Sequence, residues 1–193
     1  VIDSAGIYGA EVMLLNLMLE QQGLALHPVL LSLESESGEL DNELINEANR
    51  LKLNVTRMHL HRGYNRQDAY RIIEFAKAGG FDLIHSHGYK SNILLGFISS
   101  AARAMPVITT VHGWTSVRVF TRIWLYSLLD KLAIRRLDAV AYVNPLSSNV
   151  VRHKKSFIVE NGIPVIDFNK ISNTDACSLR SDTNEIIIGS ILR

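Results

Sequence analysis

Short apolar runs alternate with longer segments of mixed polarity along the chain. Pro28 to Leu33, Asn54 to Leu60, Asp82 to His85, Pro106 to Val111, Ala139 to Val143 and Ser156 to Val159 are short and rich in β-branched or aliphatic residues, so they read as strands. Continuous apolar runs of this kind suit parallel strands buried on both faces. Gly9 to Gln22 carries Val12, Leu15 and Leu19 on one stripe and stops at Gly23, which predicts a helix. Asn144-Pro145 offers an N-cap followed by proline at the first helical position, predicting a second helix over Pro145 to Val151. Strands alternating with helices predict the α/β class, with a Rossmann-like parallel sheet and helices on both faces.

The ends of the pattern shape the expected organisation. Val1-Ile2-Asp3 starts without Met and reads as the tail of a strand, while Glu185 to Gly189 opens a new apolar run that stops at Arg193. The expectation is a piece of a longer protein. Residues 167 to 184, rich in Asn, Ser, Asp and Thr, read as a polar linker. The predicted layout is a Rossmann-like domain over 1–166, the linker over 167–184, and over 185–193 the first strand of a truncated second domain.

Composition narrows the partners. The 193 residues are 47% hydrophobic and 20% charged, an ordinary globular balance. With 20 Lys and Arg against 19 Asp and Glu, the net charge of +1 gives no electrostatic case for nucleic acid as the main partner. Cys177 is the only cysteine, which excludes an internal disulfide and fits a reducing, cytoplasmic setting. No apolar run approaches the roughly 20 residues that span a bilayer, and the N-terminus lacks the layout of a signal peptide.

In sheets of this class, ligands sit beyond the carboxyl ends of the strands. Four strand ends carry polar or glycine-containing loops that should face one cleft: Asp3 to Glu11, His85 to Gly88, Val111 to Trp114, and Val143 to Pro145. Gly6 and Gly9 before a helix suit an anion site at a helix N-terminus or a plain tight turn, and the spacing does not choose between them. Glu11 complements the helix dipole. His85 reads as a hydrogen-bonded core histidine, whereas His87, beside Gly88, is better placed to meet a ligand. His112, at the end of Val107 to Val111 and before Gly113, is the best single candidate for a polar group in the cleft. The three histidines together could hold zinc, although neither a carboxylate nor a thiol accompanies them. Ser116 to Arg136 mixes apolar residues with arginines, so it reads as a core helix with solvated cations or as a peripheral contact with an anionic membrane. Trp114 and Trp124 default to packing.

In order along the chain, Gly9-Ala10-Glu11 opening an apolar helix, "DLIHSHG", "PVITTVHG", "AYVNPLSSNVV", "FIVENGI" and "IIIGSILR" resemble the amino-terminal half of glycosyltransferase family 4. The resemblance implies one half of a GT-B fold and retaining transfer of a sugar, of hexosyl type, from a nucleotide-sugar donor to a glycan or lipid-linked acceptor. It implies no cofactor and no required metal, and a cytoplasmic enzyme of cell-envelope polysaccharide synthesis. By position, Gly9 matches the glycine loop near the donor diphosphate and His112 the histidine near the transferred sugar. Arg193 aligns with a basic residue that contacts donor phosphate. His87 corresponds to the acceptor-side loop, with Tyr8 and Asn144 counted beside it. Asn161-Gly162 matches the stretch leading towards the interdomain connection. The chain departs from the pattern at Tyr8-Gly9, where the family often has Gly-Gly, and it lacks the paired-glutamate motif and the lysine of the second domain. It is therefore expected to be inactive alone. Two other readings stay open: a metal-dependent hydrolase built on His85, His87 and His112, and a non-catalytic nucleotide- or partner-binding module.

Overall fold

A single bridging residue in the middle of the sheet, Ile2, organises its strands. The computed structural model describes residues 1–4, 6–35, 42–113 and 118–162. Strand β1 (Val29–Ser35) pairs in parallel with β2 (Asn54–Leu60), and β3 (Ile84–His87), β4 (Val107–Val111), β5 (Ala139–Tyr142) and β6 (Ser156–Ile158) form a second parallel group in that order. Ile2 joins the two groups, bridging Ser32 of β1 on one side and His87 of β3 on the other. Its amide donates to the Leu31 carbonyl at 3.1 Å, and the His87 amide donates to the Val1 carbonyl at 2.8 Å. The order across the sheet is thus β2, β1, Ile2, β3, β4, β5, β6. From the centre the chain winds first to one side and then to the other, so the winding direction reverses between Ile2 and β3. That reversal is a topological switch point, where diverging connections leave a crevice above the strand ends.

The connections are α1 (Gly9–Gly23), α2 (Glu43–Arg50), α3 (Arg66–Ala78), α4 (Tyr89–Gly96), α5 (Ser100–Arg103), α6 (Arg122–Ile134) and α7 (Pro145–Val150). Five of them start on a residue whose side chain caps a free backbone amide: Asn42, Asn65, Ser99, Thr121 and Asn144. Both sheet faces are covered, as parallel strands require. Leu30 packs with Leu14, Leu15 and Leu44 on one face, and its neighbour Leu31 packs with Ile72, Ile84 and Leu95 on the other. Side chains alternate along a strand, which accounts for the split.

Three expectations shift. The strand expected over Asp82 to His85 instead covers Ile84–His87, and Leu83 is 45% exposed. The apolar signal ends at Ile84, but pairing with β4 carries the strand on to His87, opposite Thr110. Burial on both faces also fails at the margins: β2 and β6 are edge strands, and Phe157 and Ile158 are exposed. The core-helix reading of Ser116 to Arg136 holds at Ala133 and Ile134 but not at Ile123, Leu125, Leu128 or Leu132, which are exposed. Apolar and basic residues interleave around that helix, so no single stripe can bury them all. The expected linker and final strand lie outside the described residues.

Among the described residues, Arg103 is a charged residue with no exposed surface. Arg103 donates through Nη1 to the Leu95 and Ile98 carbonyls at 3.1 and 3.0 Å and through Nη2 to Asp138 Oδ2 at 2.9 Å. Asp138 Oδ2 also accepts from the Val107 amide at 2.8 Å, so the pair ties the end of α4 to the starts of β4 and β5. Substituting Arg103→Leu should cost roughly 3–5 kcal/mol in urea unfolding, because it takes the donor from the Leu95 and Ile98 carbonyls and the cation from Asp138 together. A loss below about 1 kcal/mol would contradict this role.

Candidate functional site

Above the switch point lies an open cleft of about 450 Å³. Its floor comes from three adjacent strand ends: Ile2 and Asp3, His87 and Gly88, and Thr110 through Gly113. Two turns here depend on glycine. Gly88, between β3 and α4, has φ 97°, and Gly113, after β4, has φ 133°, a region that residues with a Cβ rarely enter. The walls are helical. Tyr89 and Asn92 come from the first turn of α4, and Ile123, Tyr126, Ser127 and Asp130 follow the i, i+3, i+4, i+7 stripe of α6. Gly96 lets these helices meet, since a Cβ there would lie 2.7 Å from the Ala133 carbonyl oxygen.

Beneath the floor runs a chain of buried polar groups. Thr109 Oγ1 donates to the Ser86 carbonyl at 3.1 Å, Ser86 Oγ donates to Asn92 Oδ1 at 2.7 Å, and Asn92 Nδ2 donates to Asp130 Oδ1 at 2.9 Å. Ser91 Oγ donates to the His87 carbonyl at 3.2 Å. Together they couple β4 and β3 to both helical walls. In a low dielectric such satisfied networks fix geometry.

The histidines lie in a row with their rings tilted against one another, at interplanar angles of 41° and 33°. Ring centroids lie 4.2 Å apart for His85 and His87 and 5.8 Å apart for His87 and His112. His85 Nε2 sits 2.8 Å from Thr110 Oγ1, so this ring is hydrogen-bonded and partly buried, as the sequence suggested. His87 is 1% exposed, forming the deep part of the cleft with Nδ1 at 3.5 Å from His112 Nε2. Burial pushes the His85 pKa down to about 4 and holds His87 well below its ordinary value. It also lowers His112, against the opposing pull of the Glu11 carboxylate. Neutral imidazoles offer one donor and one acceptor each, which suits hydroxyl recognition better than charge neutralisation. Among the described residues, no group of three or more His, Cys, Asp or Glu is placed to hold a metal ion.

The other candidates are more scattered. Gly9 opens α1 and is exposed, with nothing within 4 Å of a Cβ built on it. Tyr8 caps that helix and is 63% exposed, and its amide donates to Glu11 Oε2 at 3.0 Å. Asn144 ends the fourth loop expected to face the cleft. It is exposed, its Oδ1 accepts from the Leu146 amide at 2.8 Å, and it does not line the cleft. Arg193 lies outside the described residues. Asn92, Tyr126 and Asp130 are not among the sequence candidates, because the strand-end rule reaches loops and the segment Ser116 to Arg136 reads only as packing or membrane contact. The available signals were a polar pair, Ser91-Asn92, one turn past a strand end and an acid, Asp130, inside an apolar helix. At the rim, Tyr126 packs edge-on to Tyr64 at 5.4 Å and stacks on Tyr89 at 5.9 Å under the Arg122 guanidinium, and Lys90 pairs with Asp3 at 3.3 Å.

A parallel sheet wound both ways from a switch point, with its cleft at the strand ends, defines a Rossmann-like ligand-binding domain. The family model for Glycosyltransferase Family 4 matches residues 7–165, and the chain belongs to that family. The fold is also that of two crystal structures of Anabaena Alr3699/HepE, one in complex with UDP and one with UDP and glucose. Their TM-scores are 0.60 and 0.61 at 14% and 15% identity, over 83% and 84% of this chain. The chain spans 43% of the length of either, so the domain corresponds to one half of a GT-B molecule. No curated protein matches the sequence.

The buried histidines predict a pH response. Unfolded histidine takes up a proton near pH 6.5, whereas folded His85 resists until about 4, so stability falls as pH drops through this window. For His85 the loss should reach roughly 2 kcal/mol by pH 5. Urea unfolding of His85→Gln, which keeps a hydrogen-bonding group for Thr110, should show a flatter decline between pH 7 and 5. Parallel declines in both proteins would contradict the assignment.

Proposed function

We propose that this chain is the acceptor-side half of a retaining hexosyltransferase that moves a sugar from a nucleotide-sugar donor to a glycan or lipid-linked acceptor. The observation that carries the reading is that "IHSHG" and "ITTVHG", two of the motifs shared with the family, build one cleft at the switch point. Alr3699/HepE was crystallised with UDP and glucose, which makes UDP-sugars the first donors to try. In this reading His112 hydrogen-bonds the transferred sugar, the start of α1 at Gly9 lies near the diphosphate, and Arg193 contacts donor phosphate. His87, Tyr8 and Asn144 belong to the acceptor side, and the tyrosine rim offers flat apolar faces to sugar rings.

Retention follows from attack on the face the diphosphate leaves, with that phosphate helping to take the acceptor proton. A double displacement would need a free carboxylate at the anomeric carbon. Of the acids at or near the cleft, Asp3 is paired with Lys90, Asp130 accepts from Asn92 Nδ2 and Glu11 accepts from the Tyr8 amide, which favours the direct route. Developing charge on the leaving diphosphate needs cations and oriented donors. We assign most of those to the partner half of the GT-B molecule, so the present half alone is inactive. The reaction needs no metal and takes place in the cytoplasm, in polysaccharide synthesis for the cell envelope.

The test uses a protein carrying both halves, a panel of nucleotide sugars and the release of free nucleoside diphosphate. Turnover should survive chelator and fall about 100-fold or more in His112→Ala, on the scale of one lost transition-state contact. Activity that vanishes with chelator would move the reading to the hydrolase, and donor binding without turnover to the binding module.

A peripheral membrane contact fits the same reading. From Arg118 to Arg136 the charged residues are five cations and one acid, and that acid, Asp130, is buried. Beside them Val119, Phe120 and Ile123 are 64%, 91% and 64% exposed. Apolar side chains among cations suit an anionic lipid surface. No helix among the described residues is long and apolar enough to cross a membrane. The chain should sediment with anionic phospholipid vesicles and not with neutral ones, and Phe120→Asp should reduce binding several-fold. Equal partitioning to both vesicle types would count against the contact.

A further inference from the structure

The deep histidine of the cleft stands on the proposed acceptor side, and its hydrogen bonding suggests a further task. His87 is fixed on both sides by the sheet, with Ile2 bridging it on one edge and Thr110 opposite it on the other. Its ring is 1% exposed. One nitrogen, Nδ1, faces His112 Nε2 at 3.5 Å, and the other, Nε2, is buried with no hydrogen-bond partner among the described residues. A neutral imidazole carries a single proton, and where it sits decides what the neighbour can do.

With the proton on Nε2, His87 would keep a buried N–H with nothing to accept it, and orphaned buried N–H groups are rare in folded proteins. With the proton on Nδ1, the orphan is a bare ring lone pair, and the N–H points at His112 Nε2. His112 Nε2 must then be the acceptor, so the one proton of neutral His112 moves to Nδ1. No described residue bonds that Nδ1, and His112 lines the cleft.

We propose that His87 is a positioning residue that sets the tautomer of His112, holding its proton on Nδ1 so that the cleft presents a hydrogen-bond donor to the ligand. Should His112 meet the sugar as proposed above, the donor meets a hydroxyl or ring oxygen and confers selectivity for an acceptor atom at that point. Isolated histidine favours the Nε2–H form, so the tautomer claimed here is the one that an unconstrained ring would not choose.

The test is long-range ¹⁵N–¹H correlation spectroscopy of the ¹⁵N-histidine-labelled chain at neutral pH, with no ligand added. His87 and His112 should both show a protonated Nδ1 and a bare Nε2. His87→Asn retains an N–H close to the place of Nδ1 and should keep His112 in the Nδ1–H form, while folded His87→Phe should release it towards Nε2–H. A wild-type His112 protonated on Nε2, or an unchanged Nδ1–H form in folded His87→Phe, overturns the proposal. If the phenylalanine variant does not fold, the wild-type spectrum decides. Because this readout needs neither donor nor turnover, a failed transferase assay leaves it standing, and a failed tautomer assignment leaves the transferase reading intact.

Discussion

Everything at the candidate site depends on how one residue is paired. Ile2, 4% exposed, is held between Ser32 and His87 and so occupies the centre of a sheet whose other strands follow it in sequence on both sides. A parallel neighbour must be reached through a crossover, and right-handed crossovers from a central strand to opposite sides place their helices on opposite faces. The connection to α1 and the connection from β3 to α4 therefore diverge, and the space between them is the cleft. Its floor is made of backbone already bound into the sheet, so the side chains at Asp3, His87 and His112 are carried on a rigid base. Weakening the Ile2 pairing would loosen the floor before it altered any contact to a ligand.

The second constraint is the polar layer under that floor. Ser86, Asn92, Thr109 and Asp130 are all buried, where Leu or Val would pack without hydrogen-bonding demands. Each of the four meets a partner in the network, so desolvation is offset while the alternatives available to α4 and α6 are reduced. Such a layer gives the site a definite shape at some cost in stability relative to a fully apolar core. The row of histidines follows the same logic. Burial keeps the rings neutral, and neutral rings can be oriented by single hydrogen bonds.

The sheet was largely legible in the sequence because its centre is apolar. Pro28 to Leu33, Asn54 to Leu60 and Pro106 to Val111 fall within a residue or two of β1, β2 and β4. The end of β3 was not legible, since Ser86 and His87 are polar and only tertiary hydrogen bonds make them strand and core. Arg103 reads as a surface cation, and nothing local announces that its partners are carbonyls at the end of α4 and a carboxylate before β5. For the site, the strand-end rule reached Asp3, His87 and His112. It could not reach Asn92 or Asp130, because which face of α4 and α6 turns inward is set by their mutual packing at Gly96 and Ala133. Asn144 was legible as a cap and takes that place, which occupies the oxygen it would offer a ligand.

The central claim is that nucleotide sugar engages the crevice between Ile2 and β4. Hydrogen–deuterium exchange of a protein carrying both halves, with and without a turnover-competent donor, tests it most directly. The account predicts slower exchange at His87 to Tyr89 and at Val111 to Gly113, with β2 and the loop before β3 unchanged. Protection confined to the opposite ends of the strands, around Gly79 to Leu83, or absent from both of the first two segments at saturating donor, would contradict it.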